Sequence, residues 1–132
     1  MAHEAESTVL LSDPEAGPNL AAELAPPDQE VAWFTSMEEL VRTRPLSSIA
    51  VLVLHCRPLP KGVLLAALGR MNVEYPGMQK MVVMDGPPPL PIAEYLTACG
   101  VDLVWAQKGD GGLGDLGALV ERMRERTRWA AM

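Results

Sequence analysis

Short apolar runs and segments with helical spacing alternate along the whole chain. The most apolar run extends from Ile49 to Cys56, and its continuous rather than alternating hydrophobic pattern is typical of a central parallel strand covered on both faces. Four other runs are rich in β-branched and aliphatic residues and have the length of a strand. The sequence therefore predicts five strands, at residues 7–12, 30–35, 49–56, 80–84 and 101–106.

Helical segments follow each of these runs. Ser36 and Glu39 have the spacing of a capping box, which opens the second helix, and Gly100 stands where a left-handed residue would end the fourth. Asp115 can cap the last helix, in which four residues form one apolar stripe. These four are Leu116, Leu119, Val120 and Met123. The predicted helices cover residues 15–24, the segment between Ser36 and Pro45, 62–71, 92–99 and the segment after Asp115.

Five strands that alternate with five helices predict an α/β fold. Each strand–helix–strand crossover is right-handed, so the strands form a parallel sheet with helices on both faces. We expect the flavodoxin-like strand order 2-1-3-4-5. One domain is predicted over residues 7–126, with a flexible tail at 1–6 and a flexible or partner-binding tail at 127–132.

Charge and hydropathy narrow the possible partners. The 132 residues include 17 Asp and Glu against 11 Lys and Arg, a formal net charge of −6. This balance argues against nucleic acid, whose phosphates are neutralised by clustered basic residues. No apolar run has the length of a membrane span, and the first eight residues lack the apolar core of a signal peptide. We therefore expect a cytoplasmic protein with no membrane contact.

The element order resembles that of CheY-like response-regulator receivers from about Ser7 to Arg126. Receivers have an acidic pair after strand one, a phosphorylated Asp at the end of strand three, a Thr or Ser after strand four and a Lys after strand five. In this chain the matching positions hold Ser12 and Asp13, Cys56, Asp85 and Lys108. The resemblance thus implies a degenerate phosphorylation pocket and a pseudo-receiver. An acyl phosphate needs a carboxylate nucleophile and a divalent ion, so phosphotransfer is not expected.

The resemblance also implies a surface for partners. In receivers, helix four, strand five and helix five form the usual face for docking or self-association. In this chain that face would include Tyr95, Trp105, Leu116, Arg122 and Trp129. We therefore expect a regulatory module that binds a protein, with a homodimer as one form, and that uses no cofactor.

A small-ligand or redox sensor is the alternative function. It would use the crevice at the carboxyl edge of the sheet, where Arg57 and Lys61 would lower the pKa of the Cys56 thiol. An inert, half-buried cysteine is the simpler interpretation. Asp13 and Asp85 are candidate ligands for a divalent cation, although Lys108 could neutralise them instead.

Three other features have simple structural interpretations. His55 lies in an apolar strand and is expected to be packed with one nitrogen satisfied. The glycine-rich segment 109–114 is interpreted as a loop, and the prolines of 87–91 as a stiff connection to the fourth helix. No Ser/His/Asp or Cys/His catalytic set can be recognised from spacing, so no enzymatic activity is expected.

Overall fold

A computed structural model describes residues 7–25, 31–56, 62–105 and 116–130. Side chains are described for residues 8–25, 31–56, 62–105 and 116–125. The five strands pair in parallel in the order β2-β1-β3-β4-β5, which confirms the predicted fold class and strand order. They are β1 Ser7–Leu11, β2 Val31–Phe34, β3 Ile49–Cys56, β4 Gln79–Met84 and β5 Val101–Trp105.

The helices flank the sheet on both faces. They are α1 Gly17–Leu24, α2 Met37–Thr43, α3 Gly62–Glu74, α4 Leu90–Ala98 and α5 Leu116–Ala130, with a 3₁₀ turn at Leu46–Ser48 before β3. None of the described helices is both long and apolar enough to cross a membrane.

Two apolar layers hold the helices on the sheet. Alternate strand residues point to opposite faces. One layer joins Leu10, Val53 and Val83 of the sheet to α1 and α5. The other joins Leu54 and Met84 to α2, α3 and α4. The central strand β3 is buried along nearly its whole length, as its continuous apolar pattern predicted.

Four of the described helices differ at their ends from the prediction. α3 continues to Glu74 rather than Met71. α4 begins at Leu90 rather than Ile92, because Pro91 fits the first turn of a helix, so the predicted stiff connection over 87–91 ends at Pro89.

The other two differences are at α1 and α5. The segment between β1 and α1 is a turn, in which the Asp13 carbonyl accepts from the amide of Gly17, so α1 begins at Gly17 rather than Glu15. Pro18 lies in its first turn, where a missing amide proton costs nothing. At the other end of the chain, α5 continues beyond Arg126 to Ala130. The backbone of the predicted carboxyl-terminal tail is therefore helical as far as Ala130.

The predicted caps of α2 and α4 are present. The Ser36 hydroxyl accepts from the amide of Glu39 at 3.1 Å, while the Glu39 carboxylate accepts from the Thr35 hydroxyl at 2.9 Å. Half of the predicted capping box therefore forms, because the Thr35 hydroxyl takes the carboxylate. After α4, Gly100 has a φ of 73°, the left-handed conformation that glycine adopts without strain.

Candidate functional site

Three polar side chains meet at the carboxyl edge of the sheet. Leu11 of β1 pairs with Leu54 of β3, so Ser12, just after β1, lies beside His55. His55 in turn pairs with Val83 of β4, and Asp85 follows the end of that strand. The strand register thus places Ser12, His55 and Asp85 side by side on three neighbouring strands.

These three side chains form a continuous chain of hydrogen bonds. His55 Nδ1 lies 3.0 Å from Ser12 Oγ, and His55 Nε2 lies 3.1 Å from Asp85 Oδ1. When the imidazole is neutral with its proton on Nε2, it donates to Asp85 and accepts from the Ser12 hydroxyl. When it is protonated, it donates to both. Both nitrogens of His55 have partners, one more than the sequence predicted.

The loop after β1 connects this edge to β2. The indole nitrogen of Trp33 donates to the Ser12 carbonyl at 2.9 Å. A Cβ at Gly17 would lie 2.2 Å from the Trp33 ring, so the backbone of α1 packs directly on the indole. Ser12 after β1 is thus bonded to Trp33 of β2 and to His55 of β3, and His55 connects it to Asp85 after β4.

Asp13 has a structural role within the same loop. Its carboxylate accepts from the amide of Ala16 at 2.8 Å, which closes the turn before α1. Lys108, the predicted neutralising group, lies outside the described residues. Within the parts of the chain that the structure describes, no three or more His, Cys, Asp or Glu side chains are grouped so that they could hold a metal ion.

Cys56 does not join the other predicted pocket residues. It follows His55 in β3, and consecutive strand residues point to opposite faces, so its thiol enters the apolar layer under α2, α3 and α4. Cys56 is 5% exposed, and burial raises the pKa of its thiol to about 11. Burial of the thiolate thus acts against the predicted lowering of this pKa. Arg57 and Lys61, from which that lowering was predicted, lie outside the described residues.

The residues predicted for the docking face fall into two groups. Tyr95 and Trp105 are 39% and 37% exposed, and Arg122 is also exposed. Leu116 is 1% exposed and packs in the layer between α5 and the sheet, so its assignment to a partner surface is wrong. It belongs to the apolar stripe of α5, which faces the sheet. The backbone of Trp129 is helical, and its side chain lies outside the described residues.

A Ser/His/Asp set is present although spacing did not reveal it. The members are 43 and 30 positions apart in the sequence, and only the parallel register brings them together. Such sets serve as nucleophile, base and orienting acid in hydrolases. Ser12, however, is 5% exposed, and its hydroxyl faces the imidazole inside the fold. In this structure Ser12, His55 and Asp85 join the ends of three neighbouring strands by hydrogen bonds, and we call this set the imidazole clamp.

The comparison with known proteins rests on structure. No family model and no curated protein matches the chain. A pilus assembly-related protein from Burkholderia pseudomallei superposes with a TM-score of 0.70 at 15% identity, over 96% of this chain and 95% of that one.

Two receivers are also similar in structure. An orphan response regulator from H. pylori superposes with a TM-score of 0.62 at 18% identity, over 95% of this chain and 99% of that one. A CheY-like response-regulator receiver from Methanospirillum hungatei superposes with a TM-score of 0.63 at 17% identity, over 95% and 96% of the two chains. The five-stranded parallel sheet and its helices thus have the fold of CheY-like receiver domains.

Proposed function

We propose that this chain is a receiver-like regulatory module that binds a protein partner without phosphorylation of an aspartate. The fold supports a role in signalling or assembly, since it is shared with receivers of response regulators. The module would act by presenting a surface, and the proposal includes no catalytic step.

The observation that carries this proposal is the position of His55. The resemblance matches Cys56 to the phosphorylated aspartate, but the side chain at the end of β3 that faces the carboxyl edge is the His55 imidazole, which is bonded to Ser12 and Asp85. The next residue, Cys56, points into the apolar layer of the opposite face. An acyl phosphate forms on a carboxylate, and the end of β3 offers none.

The proposed docking face lies around α4, β5 and α5. Tyr95 and Trp105 expose more than a third of their surface, and Arg122 is exposed on α5. Tyrosine, tryptophan and arginine supply much of the binding energy in protein interfaces. β5 is also an edge strand of the sheet. These features favour a protein as the partner, with a second copy of the chain as one form.

The structural neighbours are compatible with such a role. One is described as related to pilus assembly and another as an orphan response regulator. We take the first description as support for a partner within a multi-protein assembly. We place the module in the cytoplasm, where the free thiols of Cys56 and Cys99 would stay reduced.

A redox sensor at Cys56 is less well supported than this module. The thiol is buried among apolar side chains, and its raised pKa leaves little of the reactive thiolate at neutral pH. The burial of the thiol therefore argues against redox sensing at Cys56.

Site-specific photo-crosslinking tests the docking face. Benzoylphenylalanine would replace Trp105 in one variant and Val63 of α3, which is exposed and outside the face, in the control. We expect position 105 to crosslink to a protein in cells. In permeabilised cells, the yield of this crosslink should be the same with and without added acetyl phosphate. Equal crosslinking from position 63, or a crosslink that requires acetyl phosphate, would contradict the proposal.

A further inference from the structure

A guanidinium is buried between α5 and the amino end of β1. Arg124 of α5 is 6% exposed, and its Nη1 donates to Thr8 Oγ1 at 3.1 Å. Thr8 is 2% exposed, and it pairs with Val31 of β2 and Val51 of β3. The guanidinium therefore lies at the opposite end of the sheet from the imidazole clamp, in a place that the proposed function does not use.

The charge of this guanidinium has no counter-ion among the described residues. Neither of the two ion pairs between described side chains includes Arg124. Its hydrogen-bond partner, the Thr8 hydroxyl, is neutral. A buried cation without a paired anion is unfavourable, because its lost hydration is not replaced by an opposite charge. The surroundings of Arg124 therefore favour the binding of an anion.

One edge of the guanidinium also lacks a hydrogen-bond acceptor. Arg124 Nε is shielded from solvent and has no partner, and no other buried side-chain nitrogen or oxygen in the described part of the chain is in this state. In a guanidinium, the Nε–H and one Nη2–H project in parallel from the same edge, at a spacing that matches two carboxylate oxygens. The bond from Nη1 to Thr8 fixes the plane of the group. The edge is therefore oriented for a bidentate acceptor.

A carboxylate matches this edge better than a phosphate does. The two oxygens of a carboxylate lie in one plane, and its single negative charge balances the single positive charge of Arg124. A phosphate monoester has nearly two negative charges at neutral pH, so part of its charge would be buried without a counter-ion. Protein already covers most of Arg124, so the ligand must also be small. These properties indicate a small monocarboxylic acid.

We propose that Arg124 binds the carboxylate of a small organic acid at the amino end of the sheet. Nε and Nη2 donate to the two carboxylate oxygens, while Nη1 keeps its bond to Thr8. The acid thereby pairs the buried charge and supplies the missing acceptor of Nε. It also connects the carboxyl-terminal half of α5 to the beginning of β1. This site is separate from the proposed docking face and does not depend on it.

The NMR resonance of the Arg124 Nε–H gives the first test, in the wild-type chain. It is assigned by through-bond correlation within the arginine side chain, and sodium acetate, sodium chloride and sodium phosphate are then titrated at constant pH and ionic strength. We expect acetate to move the resonance downfield until it saturates, because the Nε–H gains a charged acceptor. An equal response to chloride would mean an adventitious ion only. That result, a response to phosphate alone, or no response would overturn the proposal.

Thermal unfolding of matched variants gives the second test. Arg124→Lys keeps the positive charge but lacks the two-donor edge, and Arg122→Lys makes the same change at an exposed position of α5. Circular dichroism confirms the fold of each variant. We expect saturating acetate to raise the Tm of the wild type and of Arg122→Lys by about 2 °C or more, and to leave that of Arg124→Lys unchanged. An equal rise in all three proteins, or its loss in both variants, would overturn the role of Arg124, and the resonance titration does not require either variant to fold.

Discussion

Gly17 shows how one residue fixes the approach of a helix to the sheet. The Trp33 ring occupies the space that a side chain at Gly17 would need, and the indole nitrogen reaches the Ser12 carbonyl in the same loop. The conformation of Gly17 is ordinary, since its φ is negative. Close packing, rather than backbone freedom, is therefore the reason for glycine at this position.

We predict that Gly17→Ala destabilises the protein by about 1–3 kcal/mol, because the added methyl group must displace the indole or the helix. Urea denaturation measures the change. Gly77→Ala is the control, since a Cβ there meets nothing within 4 Å, and should change the free energy of unfolding by less than about 0.5 kcal/mol. Equal effects of the two substitutions would refute the packing explanation.

Ionisation of Cys56 makes the free energy of unfolding decrease at alkaline pH. Its pKa is raised from 9.0 to about 11 in the folded state, so below pH 9 the thiol is protonated in both states and its contribution is complete. As pH rises from 9 to 11, the unfolded chain releases its proton first, and stability falls by up to about 2–3 kcal/mol.

We expect this fall to disappear in Cys56→Ala. Burial lowers the pKa of Lys80 in the folded state, so this group changes stability with pH in the opposite direction to Cys56. Lys80 is present in both proteins, and the difference between wild type and variant therefore isolates the effect of the thiol. Urea denaturation at pH 8 to 11 gives both curves. Parallel curves for the two proteins would mean that Cys56 is not desolvated as the structure indicates.

At the scale of elements, His55 joins three neighbouring strands at their carboxyl ends. Its ring bonds Ser12 after β1 and Asp85 after β4 while it belongs to β3 itself. Parallel strands have no tight turn between them, so such cross-strand bonds help to fix their ends. The imidazole clamp therefore helps to hold the carboxyl ends of β1, β3 and β4 in position.

We predict that His55→Ala costs about 1–3 kcal/mol, because the buried Ser12 hydroxyl loses its partner. Ser12→Ala should cost less, and the double variant should cost less than the sum of the two. Urea denaturation of the four proteins gives the coupling energy, which we expect at about 0.5–1.5 kcal/mol. Additive effects would show that the two side chains do not interact.

The sequence predicted most elements because their patterns are local. The run from Ile49 to Cys56 forms β3 with the same bounds, and Gly100 ends α4 in the left-handed conformation. The start of α1 was misplaced because the Asp13 side chain forms a separate turn, which competes with the helix. α5 extends farther than predicted, since the basic stretch after Arg126 contains no helix-breaking residue.

Less of the site could be predicted, because it depends on which way neighbouring side chains point. Ser12 and Asp85 were correctly expected at the carboxyl edge, but a continuous apolar strand does not reveal whether His55 or Cys56 faces that edge. The hydrogen bonds of His55 join residues far apart in sequence. Leu116 was wrongly assigned to the partner face, because it belongs to the apolar stripe of α5 that packs against the sheet.

At the scale of the whole molecule, the fold matches that of receivers, whereas the groups at the carboxyl edge do not. The sheet, its helices and its strand order are those of receivers. At the carboxyl edge, however, Cys56 holds the position matched to the phosphorylated aspartate, and the neighbouring His55 bonds Ser12 and Asp85. A fold does not determine function, which depends on the groups at the site. The proposed function, regulation by docking without phosphorylation, is based on this combination.

Intact mass after incubation with acetyl phosphate and Mg²⁺ tests this claim most directly. We predict an unchanged mass for the wild-type chain, because the end of β3 offers no carboxylate to the phosphoryl donor. Asp13→Ala and Asp85→Ala, measured in parallel, would locate any acceptor. A gain of one phosphoryl group in the wild type that is lost in either variant would contradict the account and establish a phosphorylation switch with a relocated acceptor.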